Sequence, residues 1–198
     1  MKVGIVYAGV GGQGVLTASS IVGKAALKSG LNVVMSEVHG MAQRGGVVVT
    51  EMKIGDARSP LLGMGEADII VGFEPVEAYR VLRKAHKDSW VVMNTEPIIP
   101  TTVSLGAGKY PSVDELIAKM HGLKVIAIEA TELARKAGNT ITTNIVMLGA
   151  LSTIPIFPIG REYLIEAIKD SVAPKYHALN MTAFELGEKA AREKIKQK

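Results

Sequence analysis

A glycine-rich turn stands between a strand pattern and a helix pattern near the start of the chain. Residues 2–7 are mostly apolar and predict a buried strand, and residues 12–29 have apolar positions at helical spacing. Between them, Gly9, Gly11 and Gly14 match the G-x-G-x-x-G spacing of a phosphate-binding turn. Because glycine permits positive φ and close backbone approach, N–H groups of such a turn can converge on an anion at the N-terminus of the following helix. The pattern predicts a ligand site at the carboxyl end of the first strand.

The turn has two interpretations from these residues alone. In a dinucleotide site, an acidic residue about 20 positions further along binds the ribose, and Glu37 follows a strand predicted at 31–36. In the alternative, Gly12, which the usual fingerprint lacks, marks a tight turn that packs against a partner protein without a nucleotide. Both interpretations assign the site to the same residues, namely Gly9, Gly11, Gly12, Gln13 and Gly14.

The remaining apolar patterns predict strands early in the chain and helices late. Further strands are predicted at 47–54, 68–73, 90–94 and 124–128. Helices are predicted at 75–86, 112–121, 131–136, 142–153, 161–171 and 174–196, with Ser112 to Glu115 as a capping box.

A turn signal makes the predicted sheet mixed. Gly55-Asp56 predicts a hairpin between the strand at 47–54 and a short return strand at 57–61. The expected fold class is therefore α/β, a three-layer, Rossmann-like open mixed sheet with a helical C-terminal portion. We expect one domain over residues 1–198, because 198 residues that are 47% hydrophobic can form one substantial core.

The composition excludes several classes of protein. There is no cysteine, which excludes disulfides, thiolate zinc sites, cysteine nucleophiles and cysteine-bound iron–sulfur clusters in this chain. The net charge of +4 is scattered without a basic stripe, which argues against a nucleic-acid partner. The uncharged stretch 137–160 could cross a bilayer by length, but its asparagines, threonines and prolines favour a buried helix. We expect a soluble, cytoplasmic protein with no membrane partner.

A second group of candidate residues follows the second predicted strand. Residues 37–46 have neither period and predict a loop, which should border the same crevice as the glycine turn. Arg44, beside Gly45 and Gly46, could donate a fork of hydrogen bonds to a phosphate or carboxylate. Alternatively, Arg44 forms an ion pair with Glu37 or with a partner subunit.

The histidines assign no catalytic or metal site. His39 is a candidate acid or base, but a single histidine without an orienting partner more often has a structural role. His86, His121 and His177 are widely spaced and form no metal-binding set. We therefore assign no catalytic residue beyond the candidate His39 and expect no metal ligands.

Two motifs together resemble the gamma-type subunit, or the corresponding domain, of 2-oxoacid:ferredoxin oxidoreductases. They are GVGGQGV at 9–15 and EVHGMAQRGGV at 37–47. The likeness extends through ADIIVGFEP at 67–75 and residues 139–149 to most of the chain. Within this family, the HGMAQRGG version and the length most resemble the small beta subunit of the indolepyruvate branch.

The resemblance implies a role in a multi-subunit enzyme. Such a complex oxidatively decarboxylates an aryl 2-oxoacid such as indolepyruvate to the acyl-CoA and passes the electrons to ferredoxin. Thiamine diphosphate, Mg²⁺, iron–sulfur clusters and coenzyme A are expected in the complex, mainly on a larger partner subunit, and none is expected on this chain alone. The isolated chain should be inactive, and its crevice should face the partner or a coenzyme A phosphate.

Two alternatives to this function remain at this stage. One is a free-standing nucleotide- or acyl-CoA-binding protein that uses the glycine turn directly. The other is the gamma subunit of a pyruvate- or 2-oxoglutarate-type enzyme.

Overall fold

The computed structural model describes residues 2–40 and 45–197, with the backbone only for His39. Its strands are β1 Lys2–Val10, β2 Val33–His39, β3 Val47–Gly55, β4 Ala67–Gly72, β5 Ala85–Asn94 and β6 Lys124–Ile128. They form one six-stranded sheet in the order β2-β3-β1-β4-β5-β6.

The sheet is mixed, as the sequence predicts. β1, β4, β5 and β6 pair in parallel, whereas β3 is antiparallel to both β1 and β2. β1 and β2 therefore run in the same direction with β3 between them. The carboxyl ends of β1, β2, β4, β5 and β6 share one edge of the sheet with the start of β3.

The predicted hairpin partner of β3 is wrong. β3 pairs with the preceding strand, β2, and residues 57–61 form no strand. The segment after β3 is held by side chains instead: the Lys53 ammonium donates to the carbonyl of Leu61, and the Glu51 carboxylate accepts from the N–H of Leu62. Since both sides of β3 already have ladder partners, a return strand has no open position beside it.

The predicted loop at 37–46 is also wrong at its start. β2 continues through Glu37 to His39, because β3 supplies ladder partners as far as Val48. Glu37 pairs with Thr50 and is exposed on an edge strand.

The helices are α1 Val15–Lys28, α2 Pro75–Arg80, α3 Thr101–Ser104, α4 Val113–Ala118, α5 Ala130–Ala137, α6 Thr143–Leu151, α7 Arg161–Ser171 and α8 His177–Lys196. The capping box at Ser112 and Glu115 is confirmed. The helix predicted at 75–86 ends earlier, because Ala85 pairs with Ala67 and begins β5.

Helices cover both faces of the sheet and form three layers. α1 and the C-terminal helices α5 to α8 pack on one face against residues such as Ile5, Met52 and Val92. α2 packs on the other face, where Val6 and Ile70 are buried. The predicted three-layer α/β fold with a helical C-terminal portion is confirmed.

α6 occupies the centre of the C-terminal portion. All of its residues are buried, as the uncharged stretch predicts. α8 approaches it closely at Gly149 and Gly187, where a Cβ atom would collide with the backbone of the facing helix. None of the helices within residues 2–40 and 45–197 combines the length and the apolar character needed to cross a membrane.

Candidate functional site

The glycine turn between β1 and α1 is held in shape by its own glutamine. The Gln13 Oε1 accepts from the N–H of Val10 at 2.8 Å, and its Nε2 donates to the carbonyl of Phe73 at the end of β4, also at 2.8 Å. Gly14 has φ +78° and is the N-cap of α1, which explains why the helix begins at Val15 and not at residue 12. Gln13 therefore braces the turn against β4.

The structure brings the glycine turn and the second motif together. The N–H of Gly11 donates to the carbonyl of Gly46 at 2.8 Å, and the N–H of Gly45 donates to the carbonyl of Gly11 at 3.3 Å. These bonds extend the β1–β3 ladder beyond its last pair, Val10 and Val47. The two motifs thus border one edge of the sheet.

Glu37 does not have the position of a ribose acceptor. In a dinucleotide fold the acidic residue ends the strand next to β1, but here β3 lies between β1 and β2. Neighbouring strands are about 4.8 Å apart, so β2 lies roughly 10 Å from β1. This arrangement does not support the dinucleotide interpretation. Arg44 and the side chain of His39 lie outside the described residues.

A cavity of about 690 Å³ opens on the other side of the glycine turn. Of the described residues predicted for the site, Gly12, Gln13 and Gly14 line it, whereas Gly9, Gly11, Glu37, Gly45 and Gly46 do not. Its other walls come from the start of α1, the connection after β5, the start of α5, residues 139–145 and the connection between α7 and α8.

Asn144 is the polar side chain that most suggests a ligand in this cavity. It is 7% exposed, lines the cavity, and its carboxamide has no hydrogen-bond partner among the described residues. Gly14 lies directly against it, and a Cβ on Gly14 would be 2.9 Å from the Asn144 Nδ2. The carboxamide borders the cavity, so its Nδ2 and Oδ1 are available to donate and accept hydrogen bonds to a ligand there.

The first turn of α1 adds a second feature of an anion site. No side chain caps its N-terminus in the described part of the chain. Helix N-terminal N–H groups carry partial positive charge and favour an anionic group. Glu96 is the one formally charged side chain among the described lining residues, so helix amides and Asn144 must supply most of the attraction for an anion.

The connection after β5 is fixed by a buried carboxylate. Glu74 is 1% exposed, and its side chain accepts from the N–H groups of Glu77 and Ile98 and from the Tyr110 hydroxyl. Burial and the adjacent Glu74 carboxylate raise the pKa of the Tyr110 phenol, and burial raises the pKa of the Glu77 carboxyl. Because Ile98 lines the cavity, Glu74 helps to hold that wall in place.

Sequence reasoning did not assign Asn144, Thr131, Glu96 or Asn180 to the site. The available signal was the group of asparagines and threonines at 139–144, which stands out in an uncharged stretch just before a buried helix. Asn180, buried in α8, likewise lines the cavity and donates to the Tyr176 carbonyl at 2.8 Å.

The described residues do not fit a metal ion or a cluster. Within residues 2–40 and 45–197, no three His, Cys, Asp or Glu side chains come close enough to hold a metal. Iron–sulfur clusters are bound mainly by cysteine thiolates, and the chain contains no cysteine.

Comparison with protein families identifies the chain. Residues 4–190 match the model of the family described as pyruvate ferredoxin/flavodoxin oxidoreductase. Indolepyruvate oxidoreductase subunit IorB of Thermococcus kodakarensis is 46% identical over 195 residues, which cover 96% of each chain. The IorB subunit of Archaeoglobus fulgidus is 44% identical and covers 94% of each chain. The 2-oxoglutarate synthase subunit KorC of Methanocaldococcus jannaschii is 31% identical over 98% of this chain and 96% of its own.

Solved structures share the fold at lower sequence identity. The gamma subunit of a keto/oxoacid ferredoxin oxidoreductase from Geobacter sulfurreducens aligns with a TM-score of 0.72 at 23% identity, over 96% of this chain and 99% of its own. A 2-oxoglutarate:ferredoxin oxidoreductase from Magnetococcus marinus aligns with a TM-score of 0.75 at 22% identity, over 97% of this chain but 31% of its own. The chain therefore belongs to the pyruvate ferredoxin/flavodoxin oxidoreductase family, as a gamma-type subunit of a 2-oxoacid:ferredoxin oxidoreductase.

Proposed function

We propose that this chain is the cluster-free small subunit of a cytoplasmic indolepyruvate-type oxidoreductase. The complex oxidises an aryl 2-oxoacid, transfers the acyl group to coenzyme A and passes electrons to ferredoxin. The substrate assignment is supported by IorB subunits that are 42% to 46% identical, compared with 31% for a KorC subunit.

A larger partner subunit holds the redox cofactors in this proposal. Iron–sulfur clusters are bound by cysteine thiolates, and this chain has none. The described residues also offer no metal cluster through which thiamine diphosphate and Mg²⁺ could bind. The chain contributes walls to the active complex and no redox centre.

Coenzyme A binds in the cavity beside the glycine turn. The observation that carries this proposal is the Asn144 carboxamide, which lines the cavity next to Gly14 at the uncapped start of α1. Coenzyme A has phosphate groups that suit helix N–H groups, and amides and hydroxyls that suit a carboxamide. The Magnetococcus marinus enzyme was solved with coenzyme A and succinyl-CoA bound.

The chain's own residues have distinct parts in holding this ligand. The N–H groups at the start of α1 and the Asn144 carboxamide would bind a phosphate, and Glu96 would repel it toward the α1 end of the cavity. Arg44 stays a sequence-based candidate for binding a phosphate or carboxylate; its neighbour Gly45 does not line this cavity. Coenzyme A, when bound, supplies the thiol that accepts the acyl group.

The edge formed by β2 and the start of β3 faces the larger subunit. This edge includes Glu37 and His39 of β2, together with Gly45 and Gly46 directly before β3. In the sequence, Arg44 lies between these two segments. Val38 and Val47 are 58% and 42% exposed there. Exposed apolar side chains beside a motif-bearing edge are typical of a protein interface.

A reconstituted complex tests the substrate and the cofactor assignment. The chain is co-expressed with the larger subunit, and 2-oxoacid-dependent reduction of ferredoxin is measured with coenzyme A and indolepyruvate, pyruvate or 2-oxoglutarate. We expect the highest kcat/KM with indolepyruvate, and a colourless, inactive chain when it is purified alone. A higher kcat/KM with pyruvate or 2-oxoglutarate would overturn the substrate assignment, and full activity of the isolated chain would overturn the subunit role.

A free-standing coenzyme- or nucleotide-binding protein is a second candidate, because residues of this chain alone form the cavity. Calorimetry of the isolated chain with NAD, FAD, ATP and coenzyme A separates the two. Micromolar binding of one ligand that is lost in Asn144→Ala, together with no effect of the larger subunit, would favour this candidate.

A further inference from the structure

Asn94, at the end of β5, is fully buried, and its side chain joins three segments. Its Nδ2 donates to the Phe73 carbonyl at 3.2 Å and to the Thr131 hydroxyl at 3.1 Å. Its Oδ1 accepts from the N–H of Ala130 at 3.0 Å and of Glu96 at 3.4 Å. Both ends of the carboxamide are satisfied, so the side chain has one well-defined orientation.

The Asn94 side chain and the Gln13 side chain of the glycine turn form hydrogen bonds to the same atom. The carbonyl oxygen of Phe73 accepts from both Asn94 Nδ2 and Gln13 Nε2. The N–H of Phe73 also donates to the carbonyl of Ala8 in β1. The end of β4 is thereby tied to the turn after β1 on one side and to the end of β5 on the other.

The residues that Asn94 holds are walls of the cavity, although Asn94 does not line it. Gln13 lies at the glycine turn, Glu96 follows β5, and Thr131 lies in the first turn of α5; all three line the cavity. Asn94 forms hydrogen bonds to Glu96 and Thr131, and it is linked to Gln13 because both side chains donate to the Phe73 carbonyl. Its hydrogen bonds thus fix the spacing of three walls that come from separate parts of the chain.

We propose that Asn94 is a positioning residue for the cavity ligand and that it acts through the Phe73 carbonyl and Gln13. Resting on the proposed function, this inference takes coenzyme A as that ligand. A carboxamide is required because one end must donate and the other must accept. An aspartate retains the acceptors for Ala130 and Glu96 but lacks the donor for Phe73 and Thr131.

The test uses the assembled complex with Asn94→Asp, and Gln13→Met as a second variant. Gln13 is only partly buried, and methionine removes its donor to the Phe73 carbonyl without adding a charge to the cavity, so this variant tests the same contact if a buried aspartate prevents folding. We expect the KM for coenzyme A to rise about tenfold in each, as for loss of one hydrogen bond to a preorganised site. The kcat and the KM for the 2-oxoacid should change by less than about twofold, because the cavity and not the partner's chemistry is altered.

Asn32→Asp is the matched control. Asn32 also donates from Nδ2 to a backbone carbonyl, that of Ala57, at 3.2 Å, but it is exposed and precedes β2 at the opposite edge of the sheet. This variant should leave all three kinetic constants unchanged. A KM for coenzyme A that stays at the wild-type value in Gln13→Met, or a general loss of kcat with both KM values raised together, would overturn the positioning role.

Asn144→Ala separates this inference from the proposed function on which it rests. If Asn144→Ala leaves the KM for coenzyme A unchanged, coenzyme A does not use this cavity and the cofactor proposal fails. If Asn144→Ala raises that KM and Gln13→Met does not, coenzyme A binds here but the Phe73 linkage does not position it.

Discussion

Gly14 and Asn144 lie in contact although one precedes α1 and the other is the second residue of α6. A methyl group on Gly14 would be 2.9 Å from the Asn144 Nδ2. The contact means that the shape of the glycine turn and the position of the Asn144 carboxamide depend on each other. It gives Gly14 of the turn a structural reason that does not require a dinucleotide.

Replacing Gly14 by alanine should impair both stability and coenzyme A binding. Alanine at φ +78° costs roughly 1–2 kcal/mol, and its methyl group would displace Asn144. Gly30→Ala is the control, since Gly30 has φ +76° and no atom within 4 Å of its Cβ position. Denaturant unfolding should show a loss of stability for both variants, larger for Gly14→Ala because of the Asn144 contact, and only Gly14→Ala should raise the KM for coenzyme A. Equal KM values would contradict the role of this contact.

The exposed edge of β2 should be needed for assembly with the larger subunit. Val38→Asp places a charge on a side chain that is 58% exposed, so the isolated chain should remain folded. At an interface the same charge would be desolvated, and co-purification with the larger subunit should fall at least about tenfold. Leu105→Asp is the control, because Leu105 is 81% exposed in the connection after α3. Full assembly of Val38→Asp would place the interface elsewhere.

The C-terminal helices should depend on the Glu188 carboxylate. Glu188 is 8% exposed, and both of its oxygens accept from the Arg161 Nε at 3.0 Å. Glu188→Ala should lower the free energy of unfolding by about 2 kcal/mol. Glu185 lies 3.9 Å from the same arginine but is largely exposed, so Glu185→Ala should cost less than about 0.5 kcal/mol. Denaturant titration of both variants measures the difference, and equal losses would refute this ranking.

The contact between α1 and α7 should make stability depend on pH in a defined window. The hydrogen bond between Lys28 and Asp170 lowers the pKa of the Asp170 carboxyl. The hydrogen bonds of Lys28 to Glu166 and Asp170 raise the pKa of the Lys28 ammonium. The contribution of the Asp170 carboxylate to the free energy of unfolding is complete above the ordinary pKa of 3.8. This contribution is lost as the pH falls through the lowered pKa. The lysine's contribution is complete below 10.5 and is lost as pH rises through the raised value.

Asp170→Asn tests this window. The variant should be less stable than the wild type at neutral pH, and the two unfolding curves should converge at strongly acidic pH, where Asp170 is protonated. In a Lys28→Met background the pH dependence of this difference should shrink. A difference that stays constant from neutral to acidic pH would contradict the assignment.

Local patterns predicted the strands and helices whose boundaries depend on nearby residues. The helix at 161–171 and the strand at 124–128 were predicted with their observed bounds, and the Ser112 cap was identified from its own four residues. The partner of β3 was not, because Gly55-Asp56 is a local turn signal, whereas strand pairing is decided by the packing of the whole sheet. The resulting order, with β3 between β1 and β2, does not support the ribose role that the dinucleotide interpretation gave to Glu37.

Only the glycine turn of the candidate site could be predicted from the sequence, because the other residues are brought to the site by packing between distant segments. The glycine turn has a local signature, but Asn144 becomes part of the site only because α6 packs beside α1. Asn94 carries no sequence signal at all, since a single asparagine at the end of a strand is common and its four hydrogen bonds come from three separate segments.

The burial of α6 also determines how the protein reports on its ligand. Asn144 belongs to a helix in which every residue is buried, so the ligand would contact a helix of the core, a region that opens in folded proteins only at high free-energy cost. A ligand that binds the folded chain and not the unfolded chain stabilises the folded state. Occupancy of the cavity should therefore appear as a rise in the melting temperature of the whole subunit, so thermal unfolding alone can detect ligand binding.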